Sequence, residues 1–128
     1  MIVDSSAVVA VLKEEPGHEE LERSMLAADA LAIGAPTLVE CAIVMGRVEG
    51  DDGIAAVSNF IIDLGVVIVP FDEPQVQIAT EAFVGYGKGR HAAALNYGDC
   101  MTYATARQAD LPLLYVGEDF ARTDIQAA

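Results

Sequence analysis

The sequence predicts an α/β fold, a three-layer α/β/α sandwich with a mainly parallel central sheet. Short apolar segments alternate along the chain with longer segments of helical periodicity, and this order requires crossover connections between parallel strands. Hydrophobic residues make up 53% of the 128 residues and are mostly Ala, Val, Ile and Leu, as in a sheet covered on both faces. This length suits one hydrophobic core, so we expect a single domain over residues 1–128.

The first half of the chain is predicted to hold two strands and four helices. In chain order they are a strand over 1–4, helices over 7–13 and 18–28, a strand over 31–34, and helices over 36–48 and 53–64. The first strand ends at Asp4, Ser5 and Ser6, which are good helix-capping residues. The second helix has Leu21, Met25 and Leu26 on one face, so we expect that face to be buried.

The second half is predicted to hold two strands, two helices and a basic loop. In chain order they are a strand over 66–71, a helix over 73–86, a loop over 85–91, a helix over 99–110, a strand over 113–116 and a helical turn over 119–123. The β-branched run at 66–71 is the clearest strand signal, and we expect that strand to be buried. Val76 and Phe83 lie on the predicted apolar side of the helix over 73–86.

Four acidic residues occur where this fold has little structural use for them. Asp4 and Asp119 follow strands and Asp99 begins a helix, so all three are predicted to lie at the sheet edge where such folds bind ligands. Glu40 has apolar neighbours on every side of its helical wheel, and a buried Glu is rare unless it is paired. The ordinary alternatives are helix caps for Asp4 and Asp99 and a solvated turn for Asp119.

A shared metal site explains the four acids together. Oxygen ligands without His or Cys favour Mg²⁺ or Mn²⁺ over zinc, and such ions promote phosphoryl chemistry. The sequence contains neither a Gly-x-x-x-x-Gly-Lys-Ser/Thr phosphate loop nor a Gly-x-Ser-x-Gly elbow. We therefore expect cleavage of a phosphodiester or phosphoanhydride.

The net charge of −13 argues against a nucleic-acid-binding protein, but the charge is unevenly distributed. Residues 1–81 hold 15 acids and 3 bases, whereas residues 82–128 hold 5 acids and 4 bases. A polyanion would therefore approach the C-terminal part. Cys41 and Cys100 suit buried apolar positions rather than a disulfide. With no signal peptide and no membrane-length apolar segment, we expect a cytoplasmic protein without membrane contact.

Four segments occur in an order and at separations that are specific together. They are MIVDSSA at 1–7, the helix carrying Glu40, YGKGRH at 86–91 with LNYGDC at 95–100, and LLYVGEDF at 113–120 with TDI at 123–125. These segments resemble the PIN-domain family, and within it the VapC-type ribonuclease toxins of bacterial toxin–antitoxin pairs. The resemblance covers nearly the whole chain.

The resemblance implies a Mg²⁺-dependent endoribonuclease in which Mn²⁺ substitutes, usually a homodimer silenced by a small antitoxin. Asp4 and Asp99 would be the principal metal ligands, and Glu40 and Asp119 would complete the acidic site. Glu118 and Asp124 crowd the same last segment as Asp119. We expect Asp119 to be the fourth acid because it precedes Phe120.

The sequence predicts the roles of other polar residues less specifically than those of the four acids. Ser6 would steady Asp4, and it is a weak candidate for RNA contact together with Lys88 and Arg90, which would neutralise phosphates without reading sequence. The basic loop could equally be an ordinary solvated loop. His91 lacks a nearby carboxylate to orient it, so we do not expect a catalytic base there.

Charge also suggests roles for two further sets of residues. Arg107 and Arg122 are expected to be surface or salt-bridge residues. Glu19, Glu20 and Glu22 belong to the acidic N-terminal half, which could confine RNA to one approach and help to receive a basic antitoxin segment.

Other acidic α/β proteins fit the sequence less well. A phosphatase of the haloacid-dehalogenase kind needs Asp-x-Asp after its first strand, where this chain has Asp4, Ser5 and Ser6. A receiver-like signalling domain pairs adjacent acids near that strand, whereas the acid pairs at 14–15 and 51–52 follow helices. A non-catalytic PIN-like or receiver-like regulatory domain with an acidic pocket remains the alternative.

Overall fold

The computed structural model describes all 128 residues and has the predicted alternation of strands and helices. Its elements are β1 (Ile2–Val3), α1 (Ser5–Leu12), α2 (His18–Ala27), β2 (Ala32–Gly34), α3 (Ala35–Glu49), α4 (Asp51–Asp63), β3 (Val67–Val69), α5 (Glu73–Tyr86), α6 (Tyr97–Ala109), β4 (Leu113–Leu114) and a 3₁₀ turn (Phe120–Arg122). None of the helices combines the length and the apolar character that a membrane span requires.

The four strands form one parallel sheet in the order β3-β2-β1-β4. Ile2 on β1 lies opposite Ala32 on β2 and opposite Leu113 on β4. The chain's last residues pair with the outer edge of β4, where the Leu113 amide donates to the Gln126 carbonyl at 2.9 Å. The carboxyl ends of β1 and β4 therefore lie side by side.

Alternate residues of the strands point into two separate cores. Val3, Ile33 and Leu114 pack with residues of α1, α2, α3 and α4 on one face of the sheet. Ile2 and Leu113 pack with residues of α5 and α6 on the other face. The predicted three-layer sandwich with a parallel central sheet is confirmed.

The predicted burial of the strand over 66–71 is wrong. The strand is shorter, and it lies at the edge of the sheet, where Val67 is 59% exposed and Ile68 is 48% exposed. Val66, just before the strand, is buried. The β-branched run gave a correct strand because its residues suit extended backbone, but burial depends on what packs against the strand, which the run does not encode.

Two helix faces predicted to be buried are buried only in part. Leu26 on α2 and Val76 and Phe83 on α5 are exposed side chains. Apolar residues surround Glu40 on the helical wheel, but Glu40 is only half-buried, because α3 buries one stripe and leaves Val39 and Ile43 exposed to solvent. That stripe, which faces the core, consists of Thr37, Cys41 and Met45.

Helices α1 and α6 each begin two residues earlier than predicted, and in both cases a capping side chain explains the start. Helix α1 begins at Ser5 because the Asp4 carboxylate accepts a hydrogen bond from the Ser6 amide. Helix α6 begins at Tyr97 because Asn96 caps it, with Asp99 closing a reciprocal capping box. Both starts place an acid of interest in the first turn of a helix or directly before it.

Candidate active site

Asp4 lies at the carboxyl end of β1 and is 4% exposed. Its Oδ2 accepts hydrogen bonds from the Ser6 amide at 3.0 Å and the Ser6 hydroxyl at 2.6 Å, and its Oδ1 accepts one from the Thr102 hydroxyl at 2.8 Å. The Ser6 hydroxyl in turn accepts from the Val116 amide at 2.9 Å, just past β4. Ser6 therefore fixes Asp4 against the ends of β1 and β4.

Asp99 is the third residue of α6 and is half-buried. Its Oδ2 accepts from the Asn96 amide at 2.8 Å, and its own amide donates to the Asn96 side chain at 2.9 Å. Burial raises the pKa of Asp99 to about 6, the Asn96 amide opposes the rise, and the charges of Asp4, Asp119 and Glu40 add to it. The other three predicted acids therefore lie within electrostatic reach of Asp99.

Glu40 extends from the second turn of α3 toward the start of α6. A Cβ atom placed on Gly98 would lie 2.7 Å from Glu40 Oε1 and 3.0 Å from Oε2. The carboxylate therefore rests on the bare backbone of Gly98, directly before Asp99. This contact explains why Glu40 is half-buried although its helix has an exposed face.

The two acids of the last segment have different environments. Asp124 accepts a hydrogen bond from the Tyr103 hydroxyl at 2.6 Å and pairs with Arg107 at 3.2 Å. The Tyr103 bond, helped by Arg107, lowers the pKa of Asp124, so its charge is already compensated. Asp119 is exposed at the start of the 3₁₀ turn and acts on Asp99. The geometry supports Asp119 as the fourth acid, which stays a prediction.

The four acids have no cationic partner. The ion pairs of the structure join Lys13 to Glu15, His18 to Glu22, Arg23 to Glu20 and Arg107 to Asp124. The buried thiol of Cys41 senses the same negative field, because burial and then the charges of Asp4 and Glu40 raise its pKa to about 12. Buried or half-buried carboxylates without a counter-charge are costly, so Asp4, Glu40 and Asp99 favour a bound cation.

The donor chemistry fits a hard divalent cation, but the side chains do not form a ready set of ligands. The candidate ligands are all carboxylate oxygens, the type that Mg²⁺ and Mn²⁺ prefer. No three His, Cys, Asp or Glu side chains come together in the arrangement that a metal ion needs. Asp4 and Asp99 instead spend oxygen atoms on hydrogen bonds with Ser6, Thr102 and Asn96.

Two threonines beneath the acids were not predicted from the sequence. The Thr102 hydroxyl contacts Asp4, and the Thr37 hydroxyl lies 2.9 Å from that of Thr102. A signal was available, because Thr37 precedes Glu40 by three residues and Thr102 follows Asp99 by three residues. Residues three apart share a helix face, so a hydroxyl at that spacing can support an acid or its neighbours.

The basic loop lies beside the last acidic segment. Arg122 fastens the two together by donating to the Ala92 carbonyl at 3.0 Å. The guanidinium of Arg90 stacks over the Phe83 ring at 5.2 Å, and Lys88 is exposed. His91 shapes the loop, because its Nδ1 accepts from the Ala93 amide at 3.1 Å. The His91 ring therefore has a structural role in the loop, which supports the prediction that His91 is not a catalytic base.

The fold and the site define a three-layer α/β protein with an uncompensated carboxylate cluster at the carboxyl edge of a parallel sheet. Its sequence matches the model of the PIN domain over residues 1–126, and the chain belongs to the PIN domain family.

Relatives of known sequence cover nearly the whole chain. The chain is 43% identical over 127 residues to ribonuclease VapC36 of Mycobacterium tuberculosis and to a VapC ribonuclease of Mycobacterium bovis, across 98% of this chain and 91% of each relative. It is 39% identical to a ribonuclease VapC of Mycolicibacterium smegmatis, across 99% of this chain and 98% of the relative.

Solved structures share the fold at low sequence identity. VapC20 of Mycobacterium tuberculosis, described as a toxin that cleaves the sarcin–ricin loop, has a TM-score of 0.82 at 15% identity, with 99% of this chain and 97% of that chain covered. FitAcB of Neisseria gonorrhoeae has a TM-score of 0.73 at 20% identity, with 98% and 94% covered. These likenesses show the fold.

Proposed function

We propose that the chain is the ribonuclease toxin of a toxin–antitoxin pair and hydrolyses RNA phosphodiester bonds endonucleolytically at its four acids. The observation that carries the proposal is the cluster of uncompensated carboxylates around Asp99. Its support comes from relatives that are named VapC ribonucleases and are 36–43% identical over nearly the whole chain.

In this proposal Asp4 and Asp99 would hold Mg²⁺ or Mn²⁺, with Glu40 and Asp119 completing the acidic site. The bound cation would supply charge neutralisation at the phosphate and activate water for attack. The chain's own contribution is to hold the carboxylates in place. Asp4 is fixed by Ser6 and Thr102, whereas Asp99 is held through the capping box of α6.

RNA would approach across the basic loop. Lys88 is exposed and is part of none of the ion pairs, and Arg122 links the loop to the segment that carries Asp119. Phosphate contacts from such side chains position a nucleic acid without reading its sequence. The Ser6 hydroxyl is occupied by Asp4 and Val116, so we assign Ser6 to supporting Asp4 rather than to RNA contact.

An antitoxin would dock on the face opposite α5 and α6. An apolar groove between α1, α2 and α4 is lined by Val11, Leu12, Met25, Leu26, Phe60 and Leu64. Acids border it, with Glu22 and Asp63 in its lining and Glu19 and Glu20 on the same helix α2. The groove suits an amphipathic basic segment, and the chain is similar in fold to the toxin of a toxin–antitoxin complex from Klebsiella pneumoniae.

A second copy of the chain would cover a different surface, the α3–α6 apolar face. We define this face by Val39, Ile43, Ile54 and Tyr97, all of which are exposed. Glu40 and Gly98 border the same depression, so a homodimer formed here would bring a second chain next to the acidic site. The proposed place of action is the cytoplasm, where the buried thiols of Cys41 and Cys100 would stay reduced.

The test is a cleavage assay with the purified protein, defined RNA and either Mg²⁺, Mn²⁺ or excess chelator. We expect cleavage with either metal, none with chelator, and none from Asp4→Asn, while the circular dichroism of that variant stays native. Cleavage that persists in chelator would contradict the metal requirement. A protein that binds RNA or antitoxin without turnover would instead be the non-catalytic regulatory domain, and stable labelling by a small phosphodonor would indicate a receiver-like domain.

A further inference from the structure

Three buried side chains form a continuous chain of hydrogen bonds beneath the acidic cluster. The Thr102 hydroxyl donates to Asp4 Oδ1 at 2.8 Å, and the Thr37 and Thr102 hydroxyl oxygens lie 2.9 Å apart. Thr37 is 2% exposed, Thr102 is 1% exposed and Asp4 is 4% exposed. Water therefore does not compete for these bonds, and each group depends on the others for its partner.

The direction of the chain follows from counting hydrogens. A threonine hydroxyl has one hydrogen to donate, and that of Thr102 goes to Asp4, which as a carboxylate can only accept. The bond between the two threonines must then be donated by Thr37 and accepted by Thr102. The result is a directed relay in which Thr37 polarises Thr102 toward Asp4.

The relay joins the elements that carry three of the four acids. Asp4 lies between β1 and α1, Thr37 lies on α3 one turn before Glu40, and Thr102 lies on α6 one turn after Asp99. A shift of α3 along its axis would break the bond between Thr37 and Thr102, and a shift of α6 would break both bonds. The same two bonds therefore tie the register of α3 and α6 to the end of β1.

From this geometry we infer that Thr37 and Thr102 are positioning residues: their relay fixes the carboxylate of Asp4 and sets the spacing of Asp4, Glu40 and Asp99. The inference rests on the proposed function of those acids as the metal-binding and cleavage site. Supporting hydrogen bonds of this kind orient metal ligands in many proteins, and their loss typically costs about 10–100-fold in metal affinity or activity.

A simpler explanation is that the threonines only satisfy one another inside the core. The two explanations differ in what an isosteric change does. Thr102→Val keeps the shape but removes the bond to Asp4 and the acceptor for Thr37. If the threonines have only a packing role, the substitution lowers only the free energy of unfolding. If the relay positions the acids, the substitution also lowers the affinity for the divalent cation.

Thr105 on the same helix offers a matched control. It is as buried as Thr102, but its hydroxyl donates to the Met101 carbonyl of its own helix at 3.1 Å and contacts no acid. Thr105→Val therefore removes a buried hydroxyl of α6 without touching the relay. Thr102→Ser restores the hydroxyl that Thr102→Val removes and serves as the rescue variant.

The first measurement is the affinity of each protein for Mn²⁺ by titration calorimetry, together with kcat and KM for RNA cleavage in Mn²⁺. We expect the affinity of Thr102→Val for Mn²⁺ to be lower by roughly tenfold or more. Its kcat should fall, whereas its KM should change little. The Mn²⁺ affinity and kcat of Thr102→Ser should stay within about threefold of the wild-type values, and those of Thr105→Val should equal the wild-type values. Equal Mn²⁺ affinity and kcat in Thr102→Val and Thr105→Val would overturn the inference.

A second measurement separates failure of the relay from failure of the proposed function. The unfolding free energies of Thr37→Val, Thr102→Val and the double variant are compared with the wild type in chelator. A relay predicts non-additivity, because the second substitution removes a bond that the first has already broken. Additive costs would overturn the relay even if the wild type cleaves RNA. A wild type that neither binds Mn²⁺ nor cleaves RNA would overturn both the proposed function and the positioning role that rests on it.

Discussion

At the scale of single residues, the acidic cluster is distinguished by the absence of a cationic side chain that would compensate its negative charge. Asp99 has no cation beside it and feels three other carboxylates, whereas Asp124, a few residues from Asp119, is paired with Arg107 and Tyr103. Asp99 is therefore the candidate for cation binding, whereas Asp124 has a structural role in its ion pair and hydrogen bond. It arises from long-range contacts, which is why the sequence alone left Asp119 and Asp124 open.

Gly98 tests whether the position of Glu40 matters. In Gly98→Ala the new Cβ would meet the Glu40 carboxylate at 2.7 Å, and the flexible side chain would move aside. We expect cleavage to fall roughly tenfold or more, because a displaced catalytic group is costly. The unfolding free energy should stay within about 1 kcal/mol of the wild type, since Ala is the better helix former. An active Gly98→Ala would mean that Glu40 need not lie where it does.

The charge of Asp99 predicts a pH-dependent stability in chelator. The pKa of Asp99 is raised to about 6 in the fold from an ordinary value of 3.8, so the folded state binds the proton more tightly than the unfolded chain. Its favourable contribution is complete below pH 3.8 and is lost as the pH rises through 6. The wild type should therefore lose stability relative to Asp99→Asn over this window, as measured by urea unfolding at each pH. A difference that does not change with pH would contradict the assigned cause.

At the scale of elements, burial was harder to predict than the elements themselves. The alternation of strands and helices followed from periodicity, and so did the acid positions at strand ends. The β-branched segment around Ile68 formed a strand, but at the exposed edge. The buried bonds of Thr102 could not be predicted, because Thr102 and Asp4 are 98 positions apart in the sequence. Periodicity shows which face of a helix or strand is apolar, but it does not show which other element packs against that face.

The crossing of α3 and α4 predicts a strong effect at Gly53. A Cβ atom there would clash with the Met45 carbonyl oxygen, and a backbone atom of a packed helix cannot move aside cheaply. Gly53→Ala should lose about 1–3 kcal/mol of unfolding free energy despite the helix preference of Ala. Gly85 on α5 is the control, because a Cβ atom placed there would meet nothing within 4 Å. Gly85→Ala should gain up to about 1 kcal/mol, and equal outcomes would contradict the close crossing.

At the scale of the whole molecule, exposed apolar residues line several surface depressions, and the two proposed as partner surfaces share no lining residue. The groove around Leu26 lies between α1, α2 and α4, whereas the α3–α6 apolar face around Ile43 borders the acidic site. Large exposed apolar patches usually mark partner surfaces. We assign these two surfaces to the two proposed protein partners, an antitoxin and a second copy.

Because the two proposed surfaces share no lining residue, the proposed antitoxin and the proposed second copy should be lost independently. Leu26→Asp should weaken antitoxin binding roughly tenfold or more and leave the dimer intact, because it puts a charge into the apolar groove. Ile43→Asp should convert the dimer to a monomer and leave antitoxin affinity unchanged. Light scattering and titration calorimetry on both variants measure the two effects. If either variant loses both partners while remaining folded, or neither, the assignment of the surfaces is wrong.

The carboxylates around Asp99 are proposed to form a metal-dependent centre for RNA cleavage. The most direct test is to measure Mn²⁺ binding and RNA cleavage by the wild type and Asp99→Asn side by side. We expect the wild type to bind Mn²⁺ and cleave RNA. Asp99→Asn should lose both activities while its fold in chelator is as stable as that of the wild type, or more so above pH 6. Undiminished cleavage by Asp99→Asn would contradict the proposed centre.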